Sequence, residues 1–145
     1  MSILVVMEQA GGAFHRMSME TLAAGQRIGQ ALELPVCVAV PGSGVEPLAS
    51  QVAAYSVQHV YALDSAVLAQ YTFDGYVAAV EELIRRVQPA FVLIPHTYQV
   101  RDFAPRLATR FGQVLVADVV SLIALLSFSL SGLIVAGSVQ VIALI

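Results

Sequence analysis

The apolar positions of this chain fall into short solid runs, separated by longer stretches in which they recur at helical spacing. Ile3 to Met7 is a continuous aliphatic run that ends at Glu8, with Gly11-Gly12 just beyond. A run with no polar alternation predicts a strand covered on both faces. From about Ser18 to Leu32, the residues Leu22, Gly25, Ile28 and Leu32 recur helically, and Ser18 is a suitable N-cap. A second strand is expected over Val36 to Val40, closed by Pro41-Gly42-Ser43-Gly44. A short helix from Pro47 to Tyr55 and a strand near His59 to Ala62 follow. The clearest helix spans about Gly75 to Val87. Tyr76, Val77, Val80, Leu83, Ile84 and Val87 form one apolar stripe, with Glu81, Glu82, Arg85 and Arg86 on the other side. Asp74 is placed to cap it, and Pro89 ends it. Ala90 to Ile94 reads as a fourth strand, with Pro95-His96-Thr97 as its exit loop. A helix from about Phe103 to Phe111 has Pro105 in its first turn, where proline is tolerated. Gly112 ends it, and Val114 to Val116 begins a fifth strand.

This alternation predicts an α/β fold: three layers, with a mostly parallel sheet between helices on both faces and right-handed crossovers. The class is Rossmann-like or adenine-nucleotide-hydrolase-like, with extra C-terminal strands. Those strands come from the last stretch. All charged residues lie between Glu8 and Asp118, and Val119 to Ile145 carries none. About 20 apolar residues would suffice to span a bilayer. However, Ser127, Ser129 and Ser131 alternate with Phe128 and Leu130, and Ser138 and Gln140 alternate with Val139 and Val141. Period two is a strand signal, with Gly132 and Gly137 as turns or bulges. No Lys or Arg flanks the stretch to anchor a span. The expected division is therefore an α/β domain over 1–118 and uncharged strands over 119–145 that complete or border the sheet, with no membrane insertion.

Composition narrows the classes. A length of 145 residues suits one domain, and a hydrophobic share of 58% excludes general disorder. The net charge of −3, with seven Arg and no Lys, argues against a nucleic-acid or anionic-membrane surface. The single cysteine, Cys37, sits in an apolar run and reads as a small buried hydrophobe; it excludes an internal disulfide and a cysteine zinc cluster. Met1 to Glu8 has no basic start and no long apolar core, so no signal peptide and a cytoplasmic location are expected.

Candidate chemistry is sparse. Ligands of such sheets sit beyond the carboxyl ends of the strands, where the loops begin at Glu8, Pro41 and Pro95. Neither Gly11-Gly12 nor Gly42-Ser43-Gly44 fits a dinucleotide or P-loop pattern, and Glu8 would repel a phosphate. His15, His59 and His96 are isolated, so no metal site is expected. No nucleophile elbow exists, Asp64 and Asp74 read as turn or cap residues, and no catalytic group is expected. The distinctive stretch is Pro95 to Arg110. Thr97, Arg101, Asp102 and Arg106 are its candidates for an interface or domain-orienting role, with capping and surface ion pairing as the competing account.

Here the sequence resembles the alpha subunit of electron transfer flavoprotein. The resemblance is carried by Ile3-Leu4-Val5-Val6-Met7-Glu8, by His96-Thr97-Tyr98-Gln99-Val100-Arg101-Asp102-Phe103-Ala104-Pro105-Arg106-Leu107-Ala108, and by Gly112 to Asp118. It covers about residues 1–120. It implies a scaffold domain of a heterodimer that carries electrons from flavin dehydrogenases to a quinone oxidoreductase or another acceptor. It further implies FAD, held mainly by a C-terminal domain not contained in this chain, and a beta subunit holding AMP or a second flavin. No FAD-binding residue carries over to this chain. Two departures stand out: Val100-Arg101 replaces the Gly-Lys of many members, and Ser131-Gly132-Leu133 stands where a Gly-Lys turn is usual. The alternative is a stand-alone adenine-nucleotide-binding module of universal-stress-protein-like fold, with its nucleotide near Glu8 and Thr97. The absence of a glycine-rich phosphate loop between Gly112 and Asp118 counts against it. A third class is a structural protein using an exposed apolar tail as a dimer surface.

Overall fold

The structure, a computed structural model, describes residues 1–117 and 141–144. Strand β1 is Ile3–Val6. It is followed by a hairpin of β2 (Gln9–Ala10) and β3 (Ala13–Phe14), then α1 (Arg16–Leu32), β4 (Val36–Gly42), α2 (Glu46–Val52) and β5 (His59–Asp64). After a 3-10 turn at Ala66–Leu68 come α3 (Phe73–Val87), β6 (Phe91–Ile94), α4 (Tyr98–Phe111), β7 (Val114–Val116) and β8 (Val141–Leu144). Gly11 and Gly12 form the hairpin turn, both with positive φ (59° and 79°), which only glycine adopts without cost.

Six strands pair in the order β5-β4-β1-β6-β8-β7, every neighbour parallel. The solid apolar runs explain this arrangement, because both faces of the central strands are covered. Leu4, Val6, Cys37, Ala39, Val92 and Ile94 face α3 and α4, where they meet Val77, Val80, Ile84, Phe103 and Leu107. Ile3, Val5, Val36, Val38, Val40 and Leu93 face α1 and α2, where they meet Leu22, Ile28, Leu48 and Val52. All four residues of β1 are buried. At roughly 1.5–3 kcal/mol for each fully buried aliphatic side chain, these two clusters dominate the stability. Helix α1 lies close to the sheet because it presents glycine there: a Cβ at Gly29 would sit 2.7 Å from the Leu34 carbonyl oxygen, and one at Gly25 2.7 Å from Val5.

Proline 41 is a register position of β4 opposite Leu63. The β1 pairing of β4 ends at Val6–Ala39, so Pro41 lies past it and, among the described residues, pairs with β5 alone. That explains why proline is tolerated in an interior strand.

Three helix starts differ from the sequence expectation. Helix α1 is capped by His15, whose Nδ1 accepts from the Met17 amide at 3.1 Å, and Ser18 is drawn into another role. Helix α3 is capped by Thr72, with Asp74 inside its first turn. Helix α4 begins at Tyr98 under a Thr97 cap, so Arg101 and Asp102 belong to the helix and Pro105 lies well within it. The amide that Pro105 lacks would have bonded the Arg101 carbonyl. Both residues are exposed, so water can take the vacant acceptor.

In the C-terminal stretch, β8 lies between β6 and β7, with Phe91 opposite Val141 and Ile94 opposite Leu144. The expected alternation from Ser127 to Gln140 and the turns at Gly132 and Gly137 lie outside the described residues. Among the described residues, no helix is long and apolar enough to cross a membrane.

Candidate functional site

From β1 the chain winds through β4 and β5 on one side and then crosses to β6 on the other. The switch in strand order therefore falls between β1 and β6, where α/β sheets place their ligands. Glu8 and Thr97 stand at this point. The Thr97 hydroxyl donates to the Glu8 carboxylate and also accepts from the Val100 amide at 3.2 Å, capping α4. The Glu8 main chain is fixed as well. Its amide donates to Ser18 Oγ at 2.7 Å, and its carbonyl accepts from the Ser18 hydroxyl at 2.9 Å and from the His15 amide at 3.0 Å. Ser18 is fully buried, which accounts for its absence from the cap of α1. Burial raises the Tyr76 phenol above its ordinary range, and the nearby Glu8 charge adds to this. The crevice thus already holds a negative charge.

The second position an anion could take is the glycine loop after β4. Its amides are engaged: Gly44 donates to Asp64 Oδ1 at 2.9 Å and Val45 to Oδ2 at 3.2 Å. Nucleotide phosphates fit neither place, because each carries a carboxylate of the chain itself.

The third cluster joins the starts of α3 and α4. The Tyr71 hydroxyl donates to Asp102 Oδ2 at 2.6 Å and to the Gln99 carbonyl at 3.3 Å. Its ring packs edge-on to Tyr76, centroids 5.1 Å apart, and Phe103 lies 6.0 Å from Tyr76. Burial, with the Asp102 carboxylate beside it, holds the Tyr71 phenol far above its usual range. The Arg106 guanidinium sits over the Phe73 ring, 3.8 Å from its centroid. One turn further along, Glu81 accepts from Arg85 at 2.7 Å and from Arg110 at 2.8 Å, and hydrogen bonding from Arg85 first and Arg110 next lowers its carboxyl pKa.

Of the residues singled out from the sequence, three therefore have partners inside the domain: Thr97 with Glu8, Asp102 with Tyr71, and Arg106 with Phe73. Asp102, adjacent to Arg101 in sequence, accepts from the Tyr71 hydroxyl. Arg101 is exposed; its amide donates to the Thr97 carbonyl at 2.9 Å, and among the described residues its guanidinium has no ion pair or hydrogen bond. Tyr71 and Tyr98 carry no site signal in the sequence; Tyr98, the first residue of α4, is 90% exposed. No local pattern pointed to Tyr71, since its partner lies 31 residues away. Among the described residues, no three of His, Cys, Asp and Glu gather as metal ligands. At the opposite, amino end of the sheet, Ser2, Cys37, Gln58, His59, Tyr61 and Arg86 line part of an open depression of about 590 Å³. The Cys37 thiol there is buried, which raises its pKa.

Residues 3–128 match the family described as electron transfer flavoprotein domain. The chain belongs to that family. Its relatives include the electron transfer flavoprotein subunit alpha of Syntrophomonas wolfei, 34% identical over 116 residues, which are 80% of this chain and 35% of the relative. The subunit of the same name from Mycobacterium tuberculosis is 33% identical over 118 residues, 81% of this chain and 36% of the relative. A relative from Acetobacterium woodii, named lactate dehydrogenase (NAD(+),ferredoxin) subunit LctC, is 26% identical over 116 residues, 80% of this chain and 28% of that protein. The domain thus spans about a third of the length of the curated relatives it matches. The family is a flavin-associated family of electron carriers.

Proposed function

We propose that the domain is the amino-terminal scaffold of an alpha subunit in a heterodimeric, FAD-containing electron carrier. In this reading residues 1–118 are the scaffold, do no chemistry of their own and act in the cytoplasm without membrane insertion, and 119–145 border them. The scaffold packs against a beta subunit, which carries AMP or a second flavin. FAD is held mainly by polypeptide outside this domain. Electrons pass from flavin dehydrogenases to a quinone oxidoreductase or another acceptor.

The observation that carries the scaffold role is the pair of resident carboxylates. Glu8 fills the switch point and Asp64 holds the glycine-loop amides, so the edge where this fold would take a nucleotide is engaged internally. The same observation disfavours the stand-alone nucleotide-binding module. Co-expression of the full-length protein with its beta subunit tests the reading, with co-purification and flavin absorbance as readouts. A full-length protein that captures no beta subunit and shows no flavin band would sink it. Saturable binding of AMP to this domain would favour the nucleotide module instead.

A further inference from the structure

The start of α4 carries two side chains that the domain does not use. Tyr98 is 90% exposed, and Arg101, one turn on, is exposed with a guanidinium that makes no hydrogen bond or ion pair among the described residues. Pro105 continues the same exposed stripe at i+7 from Tyr98. Around them the other polar groups have internal partners: Asp102 with Tyr71, Arg106 with Phe73, and Arg110 with Glu81. The Tyr71, Tyr76 and Phe103 rings stiffen the base of this turn. An exposed Tyr and an unpaired Arg on a rigid helix start are the residue types that anchor interfaces, and rigidity lowers the ordering cost of binding.

We propose that Tyr98 and Arg101 form the contact surface of this domain for a partner protein that offers an apolar cleft beside a carboxylate, and that Thr97, Asp102 and Arg106 only position the helix that presents them. The charge distribution selects this occupant. Helix α4 carries Arg101, Arg106 and Arg110 against one acid, Asp102, whereas the whole chain is at −3. An isologous contact with a second copy would set Arg101 near its own equivalent, like charge against like. A polyphosphate or lipid surface calls for a cluster of unpaired cations, and this stripe has one. Resting on the proposed heterodimer, the assignment makes the beta subunit the partner.

The test is the affinity of the full-length protein for its purified beta subunit, with Tyr98→Ala, Arg101→Glu and, on α1, Gln30→Ala. Tyr98→Ala and Arg101→Glu are each expected to weaken binding by about tenfold or more, with unchanged thermal unfolding. The Arg101→Glu loss should shrink at high salt and the Tyr98→Ala loss should not. Gln30→Ala should bind as the parent does. A parent that binds while both α4 variants bind equally well overturns the assignment and leaves the heterodimer reading standing. A parent that forms no complex overturns both. Self-association abolished by Tyr98→Ala would make a second copy the occupant and would also overturn it.

Discussion

The carboxyl and amino rims of the sheet use their polar groups in opposite ways. At the carboxyl rim, Glu8 receives Thr97, Asp64 receives the Gly44 and Val45 amides, and Asp102 receives Tyr71. At the amino rim, Gln58, His59 and Arg86 are exposed around an open depression. Parallel α/β sheets ordinarily bind ligands at the carboxyl rim, because helix N-termini and loop amides leave donors there without partners. Here Asp64 takes the glycine-loop amides, the Thr97 hydroxyl takes the Val100 amide at the start of α4, and Glu8 and Asp102 accept from the Thr97 and Tyr71 hydroxyls. The edge that would bind a ligand has become a set of joints: β1 to α4, the β4 loop to β5, and α3 to α4. The two rims of this flavoprotein domain differ in whether an acidic side chain stands beside the available donors, as Glu8, Asp64 and Asp102 do at the carboxyl rim.

The largest effect should come from the joint at the switch point. Thr97→Val removes the cap of α4 and also the hydroxyl that donates to Glu8, leaving a half-buried carboxylate without its donor. Urea unfolding should show a loss of about 2–3 kcal/mol. A double-mutant cycle of Glu8→Ala with Thr97→Ala should give a coupling of about 1 kcal/mol or more. Additive losses would mean that the two residues do not form a joint.

Asp64→Ala should rank next, at about 1 kcal/mol. Two amides lose a charged acceptor, but Asp64 is exposed and water replaces it in part. Asp64→Asn keeps one acceptor oxygen and should cost less. The ordering of these two substitutions separates hydrogen bonding from charge at the glycine loop.

The α3–α4 joint has a pH signature. Tyr71→Phe should cost about 1 kcal/mol near neutral pH by removing the hydrogen bond to Asp102. The folded phenol pKa is raised, by burial and then by Asp102, so its neutral form is favoured in the fold. That contribution is fully present below the ordinary phenol pKa of about 10 and is lost as pH rises above it. The stability gap between parent and Tyr71→Phe should therefore narrow above pH 10. A gap that stays constant into that range would mean that the Asp102 hydrogen bond is not what holds the phenol.

The strands and the apolar faces of the helices were legible in the sequence, because burial on both faces leaves unbroken runs such as Ile3 to Met7 and a one-sided stripe such as Tyr76 to Val87. The joints were not. Ser18 looked like a cap because its neighbours are helical, yet its hydroxyl is bound to the Glu8 main chain ten residues away. Pro105 suggested a helix starting at Phe103, because proline is best tolerated in a first turn, whereas water access to the Arg101 carbonyl allows the helix to start at Tyr98. Thr97, Arg101, Asp102 and Arg106 were recognisable as a polar group. Which of them turn inward depended on Tyr71 and Phe73, which come from a different element. The fold is written in local periodicity, and the assignment of polar partners is written in contacts between residues distant in sequence.

The smallest effect should come from the amino rim. Arg86 is exposed at the end of α3. Burial and then Cys37 raise the Tyr61 phenol pKa, and the Arg86 charge acts against them. His59 is exposed on β5, and its ring lies 6.1 Å from that of Tyr61 with a tilted geometry. Neither side chain closes a joint between elements, so Arg86→Ala and His59→Ala should each change stability by no more than about 0.5 kcal/mol. Equal unfolding midpoints for parent and variants, set beside the Thr97→Val loss, would place the structural polar groups at the carboxyl rim. A loss at Arg86 matching that at Thr97 would make both rims structural. The resident carboxylates would then cease to distinguish the edge where this fold elsewhere takes its ligand.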